Sequence, residues 1–272
     1  MCWVANLRNS MNTSYELVTG NIAMLISMPH NGQLIPESIA RNMTKIGHQV
    51  PDTDWYMDKL YDFAQDLGIS IIKPKYSRYV IDLNRNIDGV NLYPGANSTE
   101  LCPTTAFDLS PLYITGKEPD EAEIKRRIDC YWQPYHQALK NTLTEMKAQY
   151  GKVVLLDAHS ILSHVPRFFE GQLPDFNFGS ANGASCSAEL MNKIVQLDLS
   201  PYSTVVNGRF KGGYITRGYG SPTENIHAVQ LELSQQTYMD EPSDHYNESK
   251  AEKVKEKLQA FVQCLADFTQ EK

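Results

Sequence analysis

The sequence is poor in cysteine and has no long hydrophobic run, and both absences restrict what the protein can be. Its 272 residues include five cysteines, which are widely spaced and form no CxxC pair. This pattern excludes a disulfide framework and a zinc knuckle, and it is typical of reduced thiols in the cytosol. No apolar run approaches the roughly 18 residues of a membrane span, and the first residues lack the apolar core of a signal peptide. We therefore expect a soluble cytoplasmic protein.

Positive charge is also scarce. Lysine and arginine number 25 against 32 aspartate and glutamate residues, which gives a net charge of −7. This balance argues against non-specific binding to nucleic acid, whose phosphates attract basic surfaces. It does not argue against a small anionic substrate, because a local basic pocket can lie within an acidic protein. We expect a small-molecule partner and neither nucleic acid nor a membrane, while the oligomeric state stays open.

Two familiar catalytic signatures are missing as well. The HExxH pattern of zinc proteases and the GxSxG pattern of serine hydrolases do not occur in the chain. The second absence argues against a serine hydrolase. The first means that residue spacing by itself is a weak signal for zinc, so a metal site would have to be assembled from residues that are distant in sequence.

What the chain does contain is an alternation of predicted strands and helices. Short apolar or β-branched runs predict strands at 22–27, 69–74, 76–81, 152–160, 203–206 and 227–235. Apolar periodicity with start and stop signals predicts helices at 51–68, 119–150, 184–197 and 247–268, the second with a kink or break near Pro134. The remaining long stretches are predicted to be an ordered loop at 91–118, a loop at 161–182 and a loop or hairpin at 207–222.

This alternation favours an α/β fold with a mostly parallel sheet and helices on both faces. No repeat, low-complexity segment or domain linker interrupts the pattern. We therefore expect a single domain spanning residues 1–272, in which residues 1–12 are a candidate disordered lead-in.

Two histidines lie at the carboxyl ends of predicted strands. His30 follows the strand at 22–27, and His159 lies near the end of the strand at 152–160. In open α/β sheets, ligands bind in the crevice beyond the carboxyl ends of the strands. A hydrolytic zinc ion takes about three protein ligands and keeps one position for water. We predict that His30 and His159 are two of these ligands.

The third ligand stays open at this level. Asp52 and Asp54 lie at the start of the helix predicted at 51–68, where N-capping competes with metal ligation as an explanation. Asp157 precedes His159 by two residues, so the two side chains share one face of a strand. Asp157 could orient a ligand or be a ligand itself.

One carboxylate and several arginines complete the set of candidates. Glu232 lies in the middle of an apolar strand, where a buried carboxylate is unfavourable unless it is paired or functional. We favour a general base over a structural partner of an arginine. Five basic residues, near predicted strand ends, could bind carboxylates or simply balance the charge of an acidic protein. They are Arg78, Arg85, Arg209, Lys211 and Arg217.

Eight segments between residues 22 and 241 together resemble the N-formylglutamate amidohydrolase (N-formylglutamate deformylase) family. They are ISMPHNGQLIP, PDTDWYMDKLYDFA, YSRYVIDLNR, LYPGANSTELCPTT, DAHSI, PRFFEGQLPDFNFG, NGRFKGGYITRGYG and AVQLELSQQTYMDE. The resemblance implies a zinc-dependent hydrolase of histidine degradation that splits N-formyl-L-glutamate into formate and L-glutamate. It also implies a three-layer α/β/α fold, phosphorylase/hydrolase-like and akin to the zinc carboxypeptidases.

The resemblance also implies roles for residues of the metal site. The PHNG and DAHS segments imply that His30 and His159 are zinc ligands. The DTD segment implies an acidic third ligand, with Asp54 preferred to Asp52. The LELSQ segment implies that Glu232 is the general base of the hydrolysis.

A second group of implied roles concerns the substrate. The pair Asn84 and Arg85 is similar to the pair with which zinc carboxypeptidases hold a substrate carboxylate, and we expect Arg78 to bind the substrate too. Arg217 is expected to be a second carboxylate clamp and a catalytic residue. Two alternatives remain: a related enzyme acting on another N-acyl amino acid, and a non-enzymatic binder of anionic amino acids. The presence of Glu232 and of the two histidine ligands argues against a binder, which needs neither.

Overall fold

The computed structural model describes residues 13–89, 97–241 and 243–271. The candidate lead-in at 1–12 and the first part of the loop predicted at 91–118 therefore lie outside the described residues. The strands and helices are, in chain order, β1 (Tyr15–Val18), β2 (Met24–Ser27), α1 (Glu37–Ala40), α2 (Lys45–Gln49), α3 (Met57–Leu60), β3 (Ser70–Pro74), α4 (Glu121–Arg127), α5 (Gln133–Tyr150), β4 (Val153–Ile161), β5 (Phe176–Gly179), α6 (Ala188–Val195), β6 (Thr204–Val206), α7 (Tyr214–Tyr219), β7 (Ile226–Ser234), β8 (Met239–Asp240), β9 (His245–Tyr246) and α8 (Glu248–Gln270).

Seven strands form one mixed sheet in the order β1-β3-β2-β4-β7-β5-β6. The pairs β1–β3 and β5–β7 are antiparallel, and the other four pairs are parallel. The central strands β4 and β7 pair over nine residues, and this register sets His159 directly opposite Glu232. Every residue of β4 is buried, as is typical of a parallel strand covered on both faces.

Helices cover both faces of this sheet. Alternate residues of β2 point to opposite faces, so Met24 and Ile26 belong to one hydrophobic core and Leu25 to another. The first core is closed by α6 and α8, and the second by α5. Their buried residues include Leu190, Val254, Leu258 and Phe261 in the first core, and Tyr135, Leu139 and Leu143 in the second. The expected three-layer α/β/α arrangement with a mostly parallel sheet is confirmed.

The kink or break predicted near Pro134 in the helix at 119–150 is present as a change of helix type. A π-helical turn at Ile128–Trp132 separates α4 from α5. Pro134 follows directly after this turn, in backbone that stays helical from α4 to α5, and a proline without an N–H inside a helix is typical of such a distortion.

Two predicted elements are wrong, and both lie beside the site. Of the helix predicted at 51–68, only the single turn α3 at Met57–Leu60 and a 3-10 turn at Asp62–Ala64 are present. α3 begins only at Met57, where the preceding Tyr56 adopts a left-handed backbone conformation with φ of 59°. Asp52 and Asp54 therefore lie in a turn rather than at a helix start. The strand predicted at 76–81 is a series of turns, because both edges of the preceding strand β3 are already paired with β1 and β2.

Several short elements in the described residues were not predicted, and three of them show why. Strand β1 precedes the first predicted strand, β5 lies inside the loop predicted at 161–182, and α7 lies inside the loop or hairpin predicted at 207–222. Each is four to six residues long, which is too short for a clear periodicity. They depend on tertiary partners instead: β1 pairs with β3, β5 pairs with β7, and Ile215 of α7 is fully buried.

Among the helices of the described residues, none combines the length and the apolar character that crossing a bilayer requires.

Candidate active site

Three side chains converge at the carboxyl ends of β2 and β4. Nδ1 of His30 and Nδ1 of His159 are 3.1 Å apart, and Asp54 Oδ2 lies 3.1 Å from His159 Nδ1 and 3.7 Å from His30 Nδ1. All three residues are buried. Ligand atoms about 2.0–2.1 Å from a tetrahedral zinc ion are roughly 3.3 Å from one another, so this triangle has the size that one ion needs.

Backbone contacts hold the carboxylate of this triangle in place. The N–H of Asp54 donates to the carbonyl of His30 at 3.1 Å. The N–H of Ser160, the residue after His159, donates to Asp54 Oδ2 at 3.1 Å. The turn before α3 is thus attached to the ends of two strands, and this attachment brings Asp54 to the histidines without a helix start.

Each histidine has a second carboxylate on its other ring nitrogen. Asp82 Oδ1 lies 2.7 Å from His30 Nε2, and Asp157 Oδ1 lies 3.0 Å from His159 Nε2. A carboxylate in this position fixes the tautomer and the orientation of a ligand histidine. Of the two roles considered for Asp157, the geometry supports the orienting one. Asp82 was missed by the sequence reasoning, although it lies in the IDLNR segment and the need for a partner to His30 was a signal for it.

Asp52, the other acidic candidate, is part of a different contact. Its Oδ2 accepts hydrogen bonds from the Tyr79 hydroxyl at 2.6 Å and from the Phe107 N–H at 2.8 Å. Burial raises the pKa of Asp52 to about 6. Asp52 therefore links the turn before α3 to the loop around Phe107. Of the two alternatives for Asp52, N-capping is wrong because the helix begins later.

A buried arginine joins the carboxylates on the His30 side. Arg78 Nη2 donates to Asp82 Oδ2 at 2.8 Å, and its Nη1 lies 3.8 Å from Asp54 Oδ1. Burial by itself would raise the pKa of Asp82, but Arg85, His30 and Arg78 outweigh it and hold that pKa well below its usual range. Both carboxylates are thereby kept ionised in the interior.

The two histidines differ in their electrostatic surroundings. Burial and the charge of Arg78 lower the pKa of His30, which favours the neutral imidazole that binds metals. Burial would also lower the pKa of His159, but Asp157 and Asp54 outweigh it and hold that pKa well above its usual range. The carboxylates around His159 thus favour a positive charge at this point of the site.

Glu232 faces His159 from the neighbouring strand. It is 7% exposed, and its Oε2 accepts a hydrogen bond from Gln230 Nε2 at 3.2 Å. Burial raises the pKa of Glu232 to about 8, with a further contribution from the charge of Asp54. A carboxyl whose pKa is brought near neutrality next to a possible metal site is suited to general acid–base chemistry.

The site opens into a cavity of about 380 Å³, a size suited to a small molecule. His30, His159 and Glu232 line one part of it. Cationic and aromatic side chains line other parts of the cavity. They are Arg78, Arg85, Arg209, Phe107, Phe168 and Phe210.

The predicted substrate ligands lie in different places. Arg85 lines the cavity and is held there by Thr99, whose carbonyl and hydroxyl accept from its Nε and Nη2. Arg217 lies on α7, where its Nε donates to the Gly212 carbonyl, and it is outside the cavity lining in the described part of the chain. Arg209 lines the cavity, and its Nε donates to the Phe168 carbonyl at 2.6 Å.

Asn84 lies directly against the metal-site residues. Its Nδ2 is 2.9 Å from His159 Nε2 and 3.3 Å from Asp157 Oδ2, and its Oδ1 accepts from the Ile215 N–H at 2.8 Å. A Cβ at Gly213 would lie 2.3 Å from Asn84 Nδ2, so glycine is needed there for this approach. The amide of Asn84 thus contacts protein groups on both sides.

Comparisons with known proteins agree on one family. The family model described as N-formylglutamate amidohydrolase matches residues 22–239. The N-formylglutamate deformylase of Pseudomonas putida is 46% identical over 249 residues, covering 90% of this chain and 93% of the relative. That of Pseudomonas aeruginosa is 44% identical over 256 residues, covering 93% and 96%.

Solved structures share the fold. The crystal structure of N-formylglutamate amidohydrolase from Ralstonia eutropha superposes with a TM-score of 0.81 at 23% identity, covering 95% of this chain and 98% of the other. A gene product of Agrobacterium tumefaciens gives a TM-score of 0.71 at 16% identity, covering 94% and 96%.

Proposed function

Because the chain belongs to the N-formylglutamate amidohydrolase family, we propose that it hydrolyses N-formyl-L-glutamate to formate and L-glutamate with the help of one bound zinc ion. The observation that carries the proposal is the juxtaposition of the buried His30, Asp54 and His159 triangle with Glu232, at one end of a cavity lined by arginines. The expected place of the reaction in histidine degradation stays a prediction.

The donor set fits zinc. His30 and His159 would offer Nδ1, and Asp54 would offer Oδ2, which is the combination of imidazole and carboxylate that catalytic zinc sites use. The carboxylates of Asp157 and Asp54 favour a positive charge beside His159, and a bound metal cation would supply one. The chemistry that such an ion supplies is Lewis-acid activation of water and of an amide carbonyl.

Glu232 acts as the general base and then as the general acid. Its carboxylate accepts the proton of the attacking water and returns it to the nitrogen of the departing glutamate. A cation in the neighbouring triangle would favour the ionised form of this carboxyl and so bring its pKa down from about 8.

The arginines hold the dianionic substrate. Arg85 and Arg209 both line the cavity, and each is oriented by a backbone carbonyl, of Thr99 and Phe168 respectively. A guanidinium group binds a carboxylate through two parallel hydrogen bonds, so two arginines can orient both carboxylates of N-formylglutamate. Arg78 lies between Asp54 and Asp82 and is close enough to the triangle to stabilise the developing oxyanion. The roles predicted for Arg217 and for Asn84 as a carboxylate ligand remain alternatives.

An enzyme for another N-acyl amino acid is the competing function. N-acetylglutamate would test the size of the acyl group, and N-formylaspartate would test the distance between the two carboxylates. We expect both to be hydrolysed more slowly than N-formylglutamate. In N-formylaspartate a misplaced carboxylate loses its arginine partner, and in N-acetylglutamate the larger acyl group moves the amide carbonyl from its reactive position.

The direct test of the proposal is formate release from N-formylglutamate before and after metal removal. We expect activity to disappear with chelation and to return when zinc is added in equimolar amount. Full activity after complete removal of metal would contradict the zinc mechanism, while absence of formate release from the metal-loaded protein would contradict the substrate.

A further inference from the structure

The segment 75–89 carries much of the site but contains neither helix nor strand. Among its residues that line the cavity or contact a candidate ligand are Arg78, Asp82, Asn84 and Arg85. A segment outside the sheet needs other partners for its buried backbone groups. What supplies those partners also decides where these four side chains lie.

Side chains of one helical stretch supply several of them. Three carbonyls of the segment accept hydrogen bonds from residues of α4, the π turn and the first turns of α5. The bonds run from Arg127 Nη1 to the Val80 carbonyl at 3.0 Å, from Trp132 Nε1 to the Arg85 carbonyl at 3.0 Å, and from His136 Nε2 to the Leu83 carbonyl at 2.8 Å.

The π turn explains how three residues with this spacing point the same way. Five residues of α-helix rotate through about 500°, so Trp132 would lie about 140° away from Arg127 on a regular helix. A π turn closes its hydrogen bonds from i to i+5, so it takes about one more residue per turn. Arg127 and Trp132 are then one turn apart, and His136 follows four residues later on the same face.

The environment of His136 fixes its tautomer. The Leu83 carbonyl can only accept, so Nε2 carries the hydrogen, and Nδ1 accepts from the Tyr219 hydroxyl at 2.8 Å. Burial lowers the pKa of His136 to about 4, which keeps the ring neutral. Trp132 stacks on the same ring with centroids 3.8 Å apart. The two donors therefore form one packed unit.

We propose that Arg127, Trp132 and His136 are positioning residues, which hold the segment 75–89 so that its side chains reach the metal site and the cavity. The Leu83 and Arg85 carbonyls flank Asn84, which contacts His159, and Asp82, which contacts His30, lies just before them. The role of these side chains in the reaction rests on the proposed function. Their attachment to the helical stretch is independent of that function.

Two variants remove single donors. Trp132→Phe keeps an aromatic ring for stacking but removes the N–H to the Arg85 carbonyl. His136→Phe removes the donor to the Leu83 carbonyl, and His136→Gln restores an N–H at nearly the same position. Tyr131→Phe is the matched control, because Tyr131 lies in the same π turn and the substitution keeps the ring that packs against Tyr76.

The first measurement is amide hydrogen exchange on the full-length protein, and it requires no substrate. Trp132→Phe and His136→Phe should raise exchange in peptides covering residues 82–89 by about tenfold, the effect of leaving one buried carbonyl without its donor. His136→Gln and Tyr131→Phe should exchange like the wild type. Unchanged exchange in both donor-less variants would overturn the inference.

The second measurement is a double-mutant cycle with N-formylglutamate. Trp132→Phe should raise KM about tenfold while kcat changes by less than about twofold, because the Arg85 side chain is displaced. In an Arg85→Ala background the same substitution should change KM by less than about twofold. An equal rise in both backgrounds would overturn a role through Arg85. If the wild type releases no formate, the proposed function fails, and the exchange measurement still decides the inference.

Discussion

The strand side of the cavity and its loop side are built differently. On the strand side, His159 and Glu232 lie opposite each other on β4 and β7, so the register of nine paired residues sets their distance. On the loop side, the segment 75–89 has no strand partner in the sheet, and its position depends on side chains from the helical stretch that includes Trp132 and His136. The comparison teaches that one site can take its rigidity from a sheet ladder on one side and from side-chain donors on the other.

Sequence reasoning succeeded on the strand side because strands can be recognised from the local sequence. A short apolar run ending in polar residues predicts both a buried strand and the end at which its chemistry lies, so β2, β4 and β7 were expected close to their observed bounds. His30 and His159, predicted from these strand ends, lie together with Asp54 in the triangle. Their roles as ligands stay predictions.

The loop side could not be read in the same way. Asp82 was hidden in a stretch that resembled a strand, and Arg217 was preferred to Arg209 although Arg209 lines the cavity. No local sequence pattern marks Asp82 or Arg209, because each is placed by a hydrogen bond to a residue far away in the chain, His30 and Phe168 respectively. The long loop at 91–118, by contrast, was expected from its Pro, Gly, Ser and Thr content, and its described part, 97–118, contains no helix or strand.

The largest expected effect tests the strand side. Glu232→Gln keeps the shape of the side chain but removes its basicity, so kcat should fall by about 10²–10⁴-fold. Bound metal should stay unchanged, because Glu232 is outside the triangle of ligands. Steady-state kinetics with metal analysis would check this. A variant that keeps more than about a tenth of the wild-type kcat would remove Glu232 from its role.

The next effect is on stability, and it concerns the buried Asp52. Its pKa is raised from 3.8 to about 6 in the folded protein. The folded state therefore binds this proton more tightly than the unfolded state, so stability falls as pH rises from about 4 to 6, by about 3 kcal/mol.

Asp52→Asn keeps an oxygen for Tyr79 and Phe107 but cannot titrate. The variant should gain about 3 kcal/mol relative to the wild type between pH 4 and pH 7, measured by urea unfolding at each pH. Parallel stability curves for the two proteins would contradict the buried titration of Asp52.

A matched pair of carboxylates compares the two sides directly. Asp82→Asn removes the partner of His30 on the loop side, and Asp157→Asn removes the partner of His159 on the strand side. Each should weaken metal binding by about 10–100-fold in a chelator competition assay. With zinc at saturation, Asp82→Asn should also raise KM, because Arg85, whose Nη1 lies 3.7 Å from Asp82 Oδ2, loses a charged partner. An equal KM rise in Asp157→Asn would contradict this division of the site.

The smallest expected effect distinguishes two arginines. Arg209→Ala should raise KM for N-formylglutamate about tenfold, because a charge-assisted hydrogen bond to a substrate carboxylate is lost. Arg217→Ala should change KM by less than about twofold. The opposite result would restore Arg217 as the second carboxylate clamp, as the sequence suggested.

The measurement that tests the central claim most directly is the zinc content of Asp54→Ala beside that of Asp52→Ala, with the wild type as reference. The two aspartates lie two residues apart in one turn, but only Asp54 belongs to the triangle in the described structure. We predict about one zinc ion per chain in the wild type and in Asp52→Ala, and little or none in Asp54→Ala after dialysis. Normal zinc content in Asp54→Ala would contradict the site, and the third ligand would then lie elsewhere.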